Sequence, residues 1–463
     1  MTHRRPPRWY TIAWLLALPF VALYLLWRSL RQGEYRRHWG ERFFGHGSPL
    51  AAAPGALVIW VHAVSVGETR AAQPLIERLA RAHADAHFVL THMTPTGRAA
   101  GTDLVRALPG RVQQRYLPYD LPFAVDRFLR QIGASVGVLM ETEVWPNLLY
   151  AARRRGVPVV LANARLSQRS LDKALRHPGL IRAASACLAI VGAQSPADRA
   201  RVLQVYDGPV RVTGNLKFDL LPDPQQLALG VRLRAGFRAH FGARPLWLFA
   251  STREGEERLI LDALALRQAA PTERAGAARP LLLFVPRHPQ RFDEVAALLQ
   301  GPGGKVLRRA QWDAALLAAP AAAPPDPPAA APWSSLLLLG DSMGEMALYY
   351  AMADVALIGG SLLPLGGQNL IEACACGCPV VLGPNMFNFA QAADDAVAAG
   401  AARRVANAPQ ALCAMEEIGR DSAQRQDMCA AALAFSRVHR GATERTLAMI
   451  DEALGAASAA AGR

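Results

Sequence analysis

Short apolar runs recur along the chain, and a turn followed by a segment with helical periodicity separates each run from the next. Apolar strands that alternate with helices are typical of parallel sheets built from βαβ units, because crossover helices cover both sheet faces. A chain of 463 residues is too long for one ordinary core, so we expect two such domains. The first set of runs is 56–61, 86–91, 135–140, 157–162 and 186–191, closed by 210–215, and the second is 246–250, 281–285, 336–339, 355–358 and 379–382.

Changes in composition predict the domain boundaries. Residues 1–45 precede the first set, and residues 46–220 form the predicted N-terminal domain. A Pro- and Gln-rich stretch opens a predicted linker at 221–245, and residues 246–463 form the predicted C-terminal domain. Residues 317–333 are almost entirely Ala and Pro, which do not build a packed core, so we expect a surface insertion there. Two parallel-sheet domains in tandem predict a cleft, with ligands beyond the carboxyl ends of the strands.

The N-terminal segment carries no charge over 19 positions, residues 9–27. That length spans the hydrocarbon core of a bilayer, and the aromatic residues at both ends suit its two interfaces. A secretory signal peptide is the alternative, but it would have a shorter apolar region followed by a small-residue cleavage site. Arginines follow instead, in the basic segment 28–45, and they slightly outnumber those before the apolar run. This pattern favours an uncleaved anchor with the large C-terminal part in the cytoplasm.

The formal net charge is +14, with only three Lys among the 51 basic residues. Such an excess suits nucleic acid, an anionic membrane surface or anionic substrates, although a compositional preference for Arg explains it equally well. The sequence has no motif typical of nucleic-acid binding, so we expect no nucleic-acid partner. Cys374, Cys376 and Cys378 crowd together, but no second Cys or His cluster completes a four-ligand set. We therefore expect small packed side chains there rather than metal ligands.

Acidic candidates for a functional site follow two predicted strands of the first set. Ser65, Gly67 and Glu68 form a turn that opens a helix, and the small residues there let a ligand approach the backbone. Glu68 is either a stabiliser of the helix dipole or a general base. Glu141 and Glu143 follow the strand predicted at 135–140. They lie either in a solvated turn or in a site, where a carboxylate would stabilise an oxocarbenium-like transition state.

Cationic candidates follow the last strands of the same set. Arg165 lies within the stretch 163–166, and Lys217 lies within 214–219. Lysine is rare in this chain, which draws attention to Lys217. It either pairs with a carboxylate or phosphate of a substrate or is an ordinary surface lysine.

Three stretches of the second set suit a nucleotide. Arg287 ends a strand, where a guanidinium is well placed for phosphate. The stretch 340–346 opens a helix whose free N–H groups attract anions. Two Gly pairs precede a further helix, for which Asn369 is a good N-cap and Glu372, at the third helical position, is the acid of a capping box. Alternatively, the backbone N–H groups at 369–371 face a nucleotide phosphate and Glu372 accepts ribose hydroxyls.

Together these motifs resemble the Kdo (3-deoxy-D-manno-octulosonic acid) transferases of lipopolysaccharide assembly. The resemblance covers nearly all of the chain beyond the apolar segment, in family order, and is far more specific than any single motif. It implies an α/β GT-B fold, in which two Rossmann-like domains face a cleft. The matching stretches are HAVSVGET (62–69), MTPTG (93–97), YLPYDLP (116–122), METEVWPN (140–147), NARLS (163–167), GNLKFD (214–219), STREGEE (251–257), PRHPQR (286–291), DSMGEM (341–346) and GGSLLPLGGQNLIEA (359–373).

The resemblance implies inverting transfer of Kdo from CMP-Kdo to the tetra-acylated lipid A precursor at the inner membrane, with no metal or other cofactor. Glu68 matches the family's proton acceptor, and Glu141 and Lys217 match positions expected to stabilise the transition state. The helix N-terminus is expected to keep Glu68 ionised at neutral pH. The positions that match the CMP site are Pro286, Arg287, Met343, Gly344, Glu345, Asn369, Leu370, Ile371 and Glu372, and those expected to contact the acceptor are Ser65, Gly67 and Arg165.

Two residues depart from the family's more familiar pattern, which has His where this chain has Arg253 and Gln368. Both lie near the expected donor site, so they bear on donor contacts rather than on the type of reaction. One alternative is a GT-B transferase that uses a UDP-sugar on another lipid acceptor. Another is a membrane-tethered nucleotide-binding protein without turnover. No single residue indicates how many Kdo units are added, which acyl pattern is required or which oligomer forms.

Overall fold

The computed structural model describes residues 5–50, 52–53, 55–269, 279–300, 306–312 and 337–461. The chain divides into two compact units, Met1–Leu220 together with His439–Arg463, and Leu221–Val438. Each unit contains one seven-stranded parallel sheet within the described ranges. The insertion predicted at 317–333 lies outside the described residues.

The first unit is a doubly wound α/β structure. Its strands lie in the order β3-β2-β1-β4-β5-β6-β7, and apolar cores cover the sheet. The chain winds outward from the central pair β1 and β4 in both directions, so this pair marks the topological switch point where such sheets bind ligands. The strands are β1 (Val58–His62), β2 (His87–His92), β3 (Val112–Tyr116), β4 (Val136–Met140), β5 (Val159–Ala164), β6 (Ile190–Ala193) and β7 (Val210–Val212).

The helices of this unit begin with one long apolar helix. Several of the shorter helices start with a Ser or Thr N-cap or with Pro in the first turn, which is the expected chemistry of a helix start. The helices are α1 (Arg8–Arg31), α2 (Trp39–Phe44), α3 (Val66–Ala82), α4 (Pro95–Ala100), α5 (Thr102–Ala107), α6 (Pro122–Ile132), α7 (Pro146–Arg154), α8 (Gln168–Leu175), α9 (Pro178–Ser185) and α10 (Pro196–Val202), with 3-10 turns at Gly33–Arg36 and Leu216–Asp219.

The second unit repeats the architecture. Its strands lie in the order β10-β11-β9-β8-β12-β13-β14, with the switch point between β8 and β12. The strands are β8 (Leu246–Thr252), β9 (Leu281–Pro286), β10 (Val306–Arg308), β11 (Leu337–Leu339), β12 (Val355–Ile358), β13 (Val380–Leu382) and β14 (Ala402–Arg404).

A long helix opens this unit where the sequence predicts a linker. Leu233 and Phe237 of this helix are buried, and Arg234 forms an ion pair with Asp354 at 2.5 Å. The stretch 221–245 is therefore part of the second unit rather than a separate connection. The helices are α11 (Pro224–Phe241), α12 (Glu256–Ala269), α13 (Phe292–Gln300), α14 (Met346–Met352), α15 (Leu370–Ala375), α16 (Ala390–Ala398), α17 (Ala408–Arg420) and α18 (Ser422–Val438), with a 3-10 turn at Pro289–Arg291.

The last helix, α19 (Ala442–Ala461), returns to the first unit. Its apolar side chains, including Met449 and Ile450, pack into the core formed by β1 and α3. The Asp219 carboxylate accepts hydrogen bonds from the backbone N–H groups of Gly441 and Thr443, at 2.7 and 2.5 Å, and so holds the start of the helix. The predicted C-terminal domain 246–463 is therefore too long, because its last helix completes the core of the other sheet.

The sequence identifies the interior strands and misses three others. The missed strands β3, β10 and β14 are all edge strands, and each contains Gln or Arg. An edge strand has one free side, so its sequence lacks the continuous apolar run by which an interior strand is recognised. Most candidate site residues of the first unit follow interior strands, and Lys217 follows β7, an edge strand that the sequence does identify.

Helix α1 is long and apolar enough to cross a membrane, by length and composition. It belongs to the first unit. One side of it packs with Tyr35 and Tyr119 in a small apolar cluster, in which Leu25 is 2% exposed. Large apolar side chains on its other side, including Phe20 and Leu30, are exposed.

Candidate active site

The turn between β1 and α3 carries Glu68 and fixes its carboxylate. Ser65 is the N-cap of α3, and its hydroxyl accepts a hydrogen bond from the Glu68 backbone N–H at 3.4 Å. The same hydroxyl donates to Glu68 Oε1 at 3.0 Å, and the Val64 N–H donates to Oε2 at 2.9 Å. This is a reciprocal capping arrangement at the start of the helix. It also orients both carboxylate oxygens at the switch point of the sheet.

A second loop, between β2 and α4, supports this turn. Thr94 donates a hydrogen bond from its hydroxyl to the carbonyl oxygen of Val64 at 3.1 Å, and it also caps α4. A Cβ at Gly97 would lie 2.8 Å from the same carbonyl oxygen, so only glycine allows the two loops to approach this closely. The stretch 93–97, which the sequence marks only by resemblance, therefore positions the Glu68 turn. Gly67 itself is exposed, and a Cβ there would meet the Ser65 hydroxyl only at 3.9 Å.

Glu141 and Lys217, 76 positions apart, form an ion pair in the first unit. Lys217 Nζ lies 2.9 Å from Glu141 Oε1, and the two side chains are 19% and 20% exposed. Glu141 directly follows β4, the neighbour of β1, and Lys217 lies in the 3-10 turn after β7. The turn reaches this point because the Asn163 side chain, at the end of β5, accepts a hydrogen bond from the Leu216 N–H at 3.0 Å. The two residues predicted to stabilise a transition state are thus in contact.

Burial changes the acid–base behaviour of Glu68. It raises the pKa of this carboxyl to about 7, and the nearby negative charges of Glu141 and Glu143 raise it further, against the hydrogen bonds from Val64 and Ser65. The helix N-terminus therefore does not keep Glu68 fully ionised at neutral pH, because desolvation outweighs the effect of the helix terminus. A pKa near 7 suits a proton acceptor, because a general base is most effective when its pKa lies near the working pH.

A second buried acid lies beside this centre. Glu143 accepts a hydrogen bond from Trp145 Nε1 at 2.8 Å, and burial raises the pKa of its carboxyl. His62 Nε2, at the end of β1, lies 3.9 Å from Glu143 Oε2. Burial lowers the pKa of His62 to about 3, so its ring is neutral, and its Nδ1 lies 2.9 Å from Thr91 Oγ1. Sequence reasoning missed His62, although its place as the last residue of a strand in HAVSVGET was a usable signal.

Arg165 lies at the same edge of the first sheet, directly after β5, and is partly buried. With Ser65 and Gly67 after β1 and Glu141 after β4, it completes a set of residues beyond the carboxyl ends of neighbouring strands. All the candidate residues of the first unit therefore lie at one end of the sheet, beyond the carboxyl ends of its strands, as expected for a ligand site in a parallel sheet.

The candidate donor residues of the second unit meet at the corresponding edge. Arg287 follows β9, and its Nε donates to Gln368 Oε1 at 3.2 Å. A Cβ at Gly360 would lie 3.3 Å from Gln368 Nε2 and 3.5 Å from Arg253 Cγ, so both departures from the family pattern flank the same glycine. The buried Glu256 holds this loop, because its carboxylate accepts the backbone N–H groups of Arg253 and Gly360. Arg253 and Gln368, the two departures from the family pattern, therefore lie at the same position of the candidate donor site, beside Pro286 and Arg287.

Side-chain contacts order the stretch before α14. Glu345 forms an ion pair with Arg309 at 3.1 Å and accepts a hydrogen bond from the Ser342 hydroxyl. Gly344 has a left-handed φ of +82°, and Met343 is half exposed. The Glu345 carboxylate therefore occupies the start of this short helix together with an arginine, and a donor group would meet both charges.

The glycine loop before α15 is closely packed. A Cβ at Gly366 or Gly367 would overlap the side chains of Asn388 or Met386, and both glycines have positive φ. Asn369 caps the helix by accepting the N–H of Ile371 at 3.1 Å. That N–H is thus bound to the capping side chain rather than facing a phosphate. Leu370 and Ile371 are buried, and Glu372 is partly buried.

Cys374 and Cys378 of the CxCxC stretch are buried, and burial raises the pKa of the Cys374 thiol to about 12. They pack as small side chains, as expected. Within the ranges that the structure describes, no group of three or more His, Cys, Asp or Glu side chains is arranged to hold a metal ion.

Comparison with known proteins identifies the family. The family model described as 3-deoxy-D-manno-octulosonic-acid transferase (kdotransferase) matches residues 37–220. A 3-deoxy-D-manno-octulosonic acid transferase of Bordetella pertussis is 46% identical over 452 residues, which cover 96% of this chain and 99% of that protein. One of Haemophilus influenzae is 33% identical over 386 residues, covering 82% of each chain.

A solved glycosyltransferase structure from Rickettsia africae is 12% identical, covers 86% of this chain and 99% of that chain, and has a TM-score of 0.55. This likeness and the two parallel sheets confirm the predicted GT-B fold class. The resemblance seen in the motifs is confirmed by relatives that match over nearly the full length. The chain therefore belongs to the 3-deoxy-D-manno-octulosonic acid transferase family and is a glycosyltransferase.

Proposed function

We propose that this protein transfers Kdo from CMP-Kdo to the tetra-acylated lipid A precursor with inversion at the anomeric carbon. One observation carries the proposal. Glu68, with a pKa of about 7, lies at the switch point of the first sheet, and the Glu141–Lys217 ion pair lies at the same edge. A proton acceptor can activate a hydroxyl, and fixed charges nearby can stabilise the charge that develops in a transition state.

In the proposed step, Glu68 takes the proton of the acceptor hydroxyl. At the same time the oxygen of that hydroxyl forms a bond to the anomeric carbon of Kdo. The bond from this carbon to the phosphate oxygen breaks, and CMP leaves with the electron pair from the opposite face. Positive charge grows on the sugar ring, where the Glu141 carboxylate stabilises it. Lys217, whose Nζ lies 2.9 Å from Glu141 Oε1, turns in this proposal toward the negative charge of the donor, which frees Glu141 to act on the ring.

CMP is proposed to bind in the second unit. Arg287 is the main candidate for a charged contact, because it follows β9 and is oriented by Gln368. Pro286, Met343, Gly344, Glu345, Asn369, Leu370, Ile371 and Glu372 are the further proposed donor contacts. We propose no metal for this step, and a rate unchanged by a chelator such as EDTA is the expected result.

The acceptor is an anionic lipid, so the proposed site lies at the inner membrane. Helix α1 attaches the protein there, with both units on the cytoplasmic side, and the net charge of +14 suits an anionic surface. Ser65, Gly67 and Arg165 are the proposed acceptor contacts in the first unit.

The test uses the full chain in detergent with CMP-Kdo, prepared in the reaction mixture, and the tetra-acylated precursor. The lipid is analysed by mass spectrometry for the wild type, for Glu68→Gln and for Glu77→Gln, a matched change two and a half turns further along α3. We expect a gain of one or more Kdo units that Glu68→Gln abolishes and Glu77→Gln retains. No gain while CMP still binds would reject the acceptor and direct the search to other lipids. Turnover with a UDP-sugar would reject the donor.

A further inference from the structure

Helix α1 contacts the first unit along nearly its whole length. The positions of lower exposure recur every three or four residues and form one stripe along the helix. They span 19 residue steps, which correspond to about 28 Å of helix. The members that define the stripe are Tyr10, Trp14, Leu18, Val21, Leu25 and Ser29.

Hydrogen bonds tie the beginning of α1 to a buried carboxylate. The Tyr10 hydroxyl donates to Asp120 Oδ2 at 2.9 Å, and Asp120 is fully buried. The same carboxylate accepts the backbone N–H groups of Asn147 and Leu148, at 2.9 and 2.8 Å, which start α7. Asp120 lies in YLPYDLP and Asn147 in METEVWPN, two stretches whose role the sequence left open. Part of their role is to join α1 to the segment that follows Glu141.

Aromatic contacts connect the same face of the helix to the site. The Trp14 ring lies 5.8 Å from the ring of Tyr119 and 6.1 Å from that of Trp145, between centroids. Trp145 in turn donates to Glu143 at 2.8 Å. The side chain of Trp145 therefore connects Trp14, on the inner face of α1, to the Glu143 carboxylate of the candidate site.

The opposite face of α1 is apolar and exposed. Leu16, Phe20, Leu23 and Leu30 are 68%, 72%, 62% and 75% exposed. Arginines gather at its C-terminal end, at positions 28, 31, 36 and 37. Acyl chains can cover such an exposed apolar face, while anionic headgroups meet the arginines at its border.

We propose that α1 lies flat in one leaflet of the membrane, with its exposed face against the acyl chains and its inner face on the first unit, instead of crossing the bilayer. A helix that crosses has its two ends on opposite sides of about 30 Å of hydrocarbon. Tyr10 near one end and Leu25 near the other could not then both contact the same unit. The Tyr10 hydroxyl would then leave the buried Asp120 carboxylate. The flat orientation differs from the crossing that the length of the apolar segment suggests.

This inference rests on the membrane attachment proposed above, and it needs no turnover to be tested. Thr2→Cys is introduced into the full chain, and inverted inner-membrane vesicles, with their cytoplasmic face outward, are treated with a membrane-impermeant maleimide. The exposed native Cys413 reports the side of the second unit. Peptide mass spectrometry then reads the labelling of each site. We expect both cysteines to be labelled in vesicles and neither in intact spheroplasts.

Labelling of Cys413 alone in vesicles, with residue 2 labelled only in spheroplasts, would show that α1 crosses and would overturn the inference. Recovery of the protein in the soluble fraction would reject the membrane attachment itself. A second test compares Tyr10→Phe with Tyr24→Phe, on the exposed face, in the detergent-solubilised protein. Loss of the bond to Asp120 should lower the unfolding midpoint by about 2–4 °C for Tyr10→Phe only. Equal midpoints for the two variants would contradict the docked helix.

Discussion

Replacing Glu68 by glutamine should abolish transfer and, at pH 8, make the first unit more stable. Burial holds the pKa of Glu68 at about 7, against an ordinary value of 4.5. A shift of this size means that ionising the carboxylate costs the folded state about 3 kcal/mol relative to the unfolded state. Glutamine carries no charge, so the variant does not lose this free energy. Its amide can also remake the local bonds, by accepting from Val64 N–H and donating to the Ser65 hydroxyl.

The sign of the effect gives a pH test. Because the pKa of Glu68 is raised in the folded state, its contribution to the free energy of unfolding is full below about pH 4.5 and is lost as the pH rises to about 7. Between pH 5 and pH 8 the wild type should lose about 2.5 kcal/mol through this group, while Glu68→Gln loses none of it. Water that reaches the partly exposed carboxylate reduces the figure, so it is an upper bound.

The assay is urea unfolding of the full chain in detergent at pH 5 and pH 8, followed by tryptophan fluorescence. Wild type, Glu68→Gln and Glu77→Gln are compared, and the same samples are tested for Kdo transfer. We expect Glu68→Gln to be inactive yet to gain stability over the wild type as the pH rises, with Glu77→Gln behaving as the wild type. If the wild type and Glu68→Gln lose the same stability between the two pH values, burial does not control this carboxyl. Transfer by Glu68→Gln would refute its role as base.

Other perturbations test the rest of the site. The kcat/KM of the wild type should fall about tenfold per pH unit below pH 7, since only ionised Glu68 accepts a proton, and a flat profile from pH 5 to pH 8 would exclude it. Lys217→Met should lower kcat by about 10²–10³-fold while Lys173→Met, an exposed lysine on α8, has no effect, as steady-state kinetics will show. Gly366→Ala should destabilise the second unit by about 1–3 kcal/mol in urea unfolding, because its Cβ has no space. Gly400→Ala has a similar φ and open space, so an equal loss there would show that strain alone, rather than packing, is responsible.

The sequence predicts the interior of each sheet because those strands are apolar on both faces. It places Glu68 and Glu141 after strands, and the strand order β3-β2-β1-β4 then makes their neighbourhood a consequence of topology. The contact of Glu141 with Lys217 is different. It depends on the bond from Leu216 N–H to Asn163, and no local pattern reports a pairing across 76 positions.

Three further features could not be read from the sequence because they depend on packing. The pKa of Glu68 is set by burial, and the helix start visible in the sequence points in the opposite direction. The sequence also does not show which sheet α19 packs against, because an amphipathic pattern predicts that one face of a helix is buried but not what covers it. Single buried polar residues such as His62 and Asp120 resemble ordinary strand ends or turns until their partners are known.

Backbone strain marks the same places without any appeal to resemblance. Among the described residues, the non-glycine positions with positive φ are His38, Glu141, Asn163 and Ser251, and the last three lie at the carboxyl ends of β4, β5 and β8. A left-handed conformation costs such a residue about 1–3 kcal/mol and persists only where surrounding contacts enforce it. Those contacts are present: Glu141 bonds Lys217, and Asn163 bonds the Leu216 N–H. Because β4 and β8 each belong to the switch point of a sheet, strain and topology independently select the two edges where the motifs place acceptor and donor chemistry.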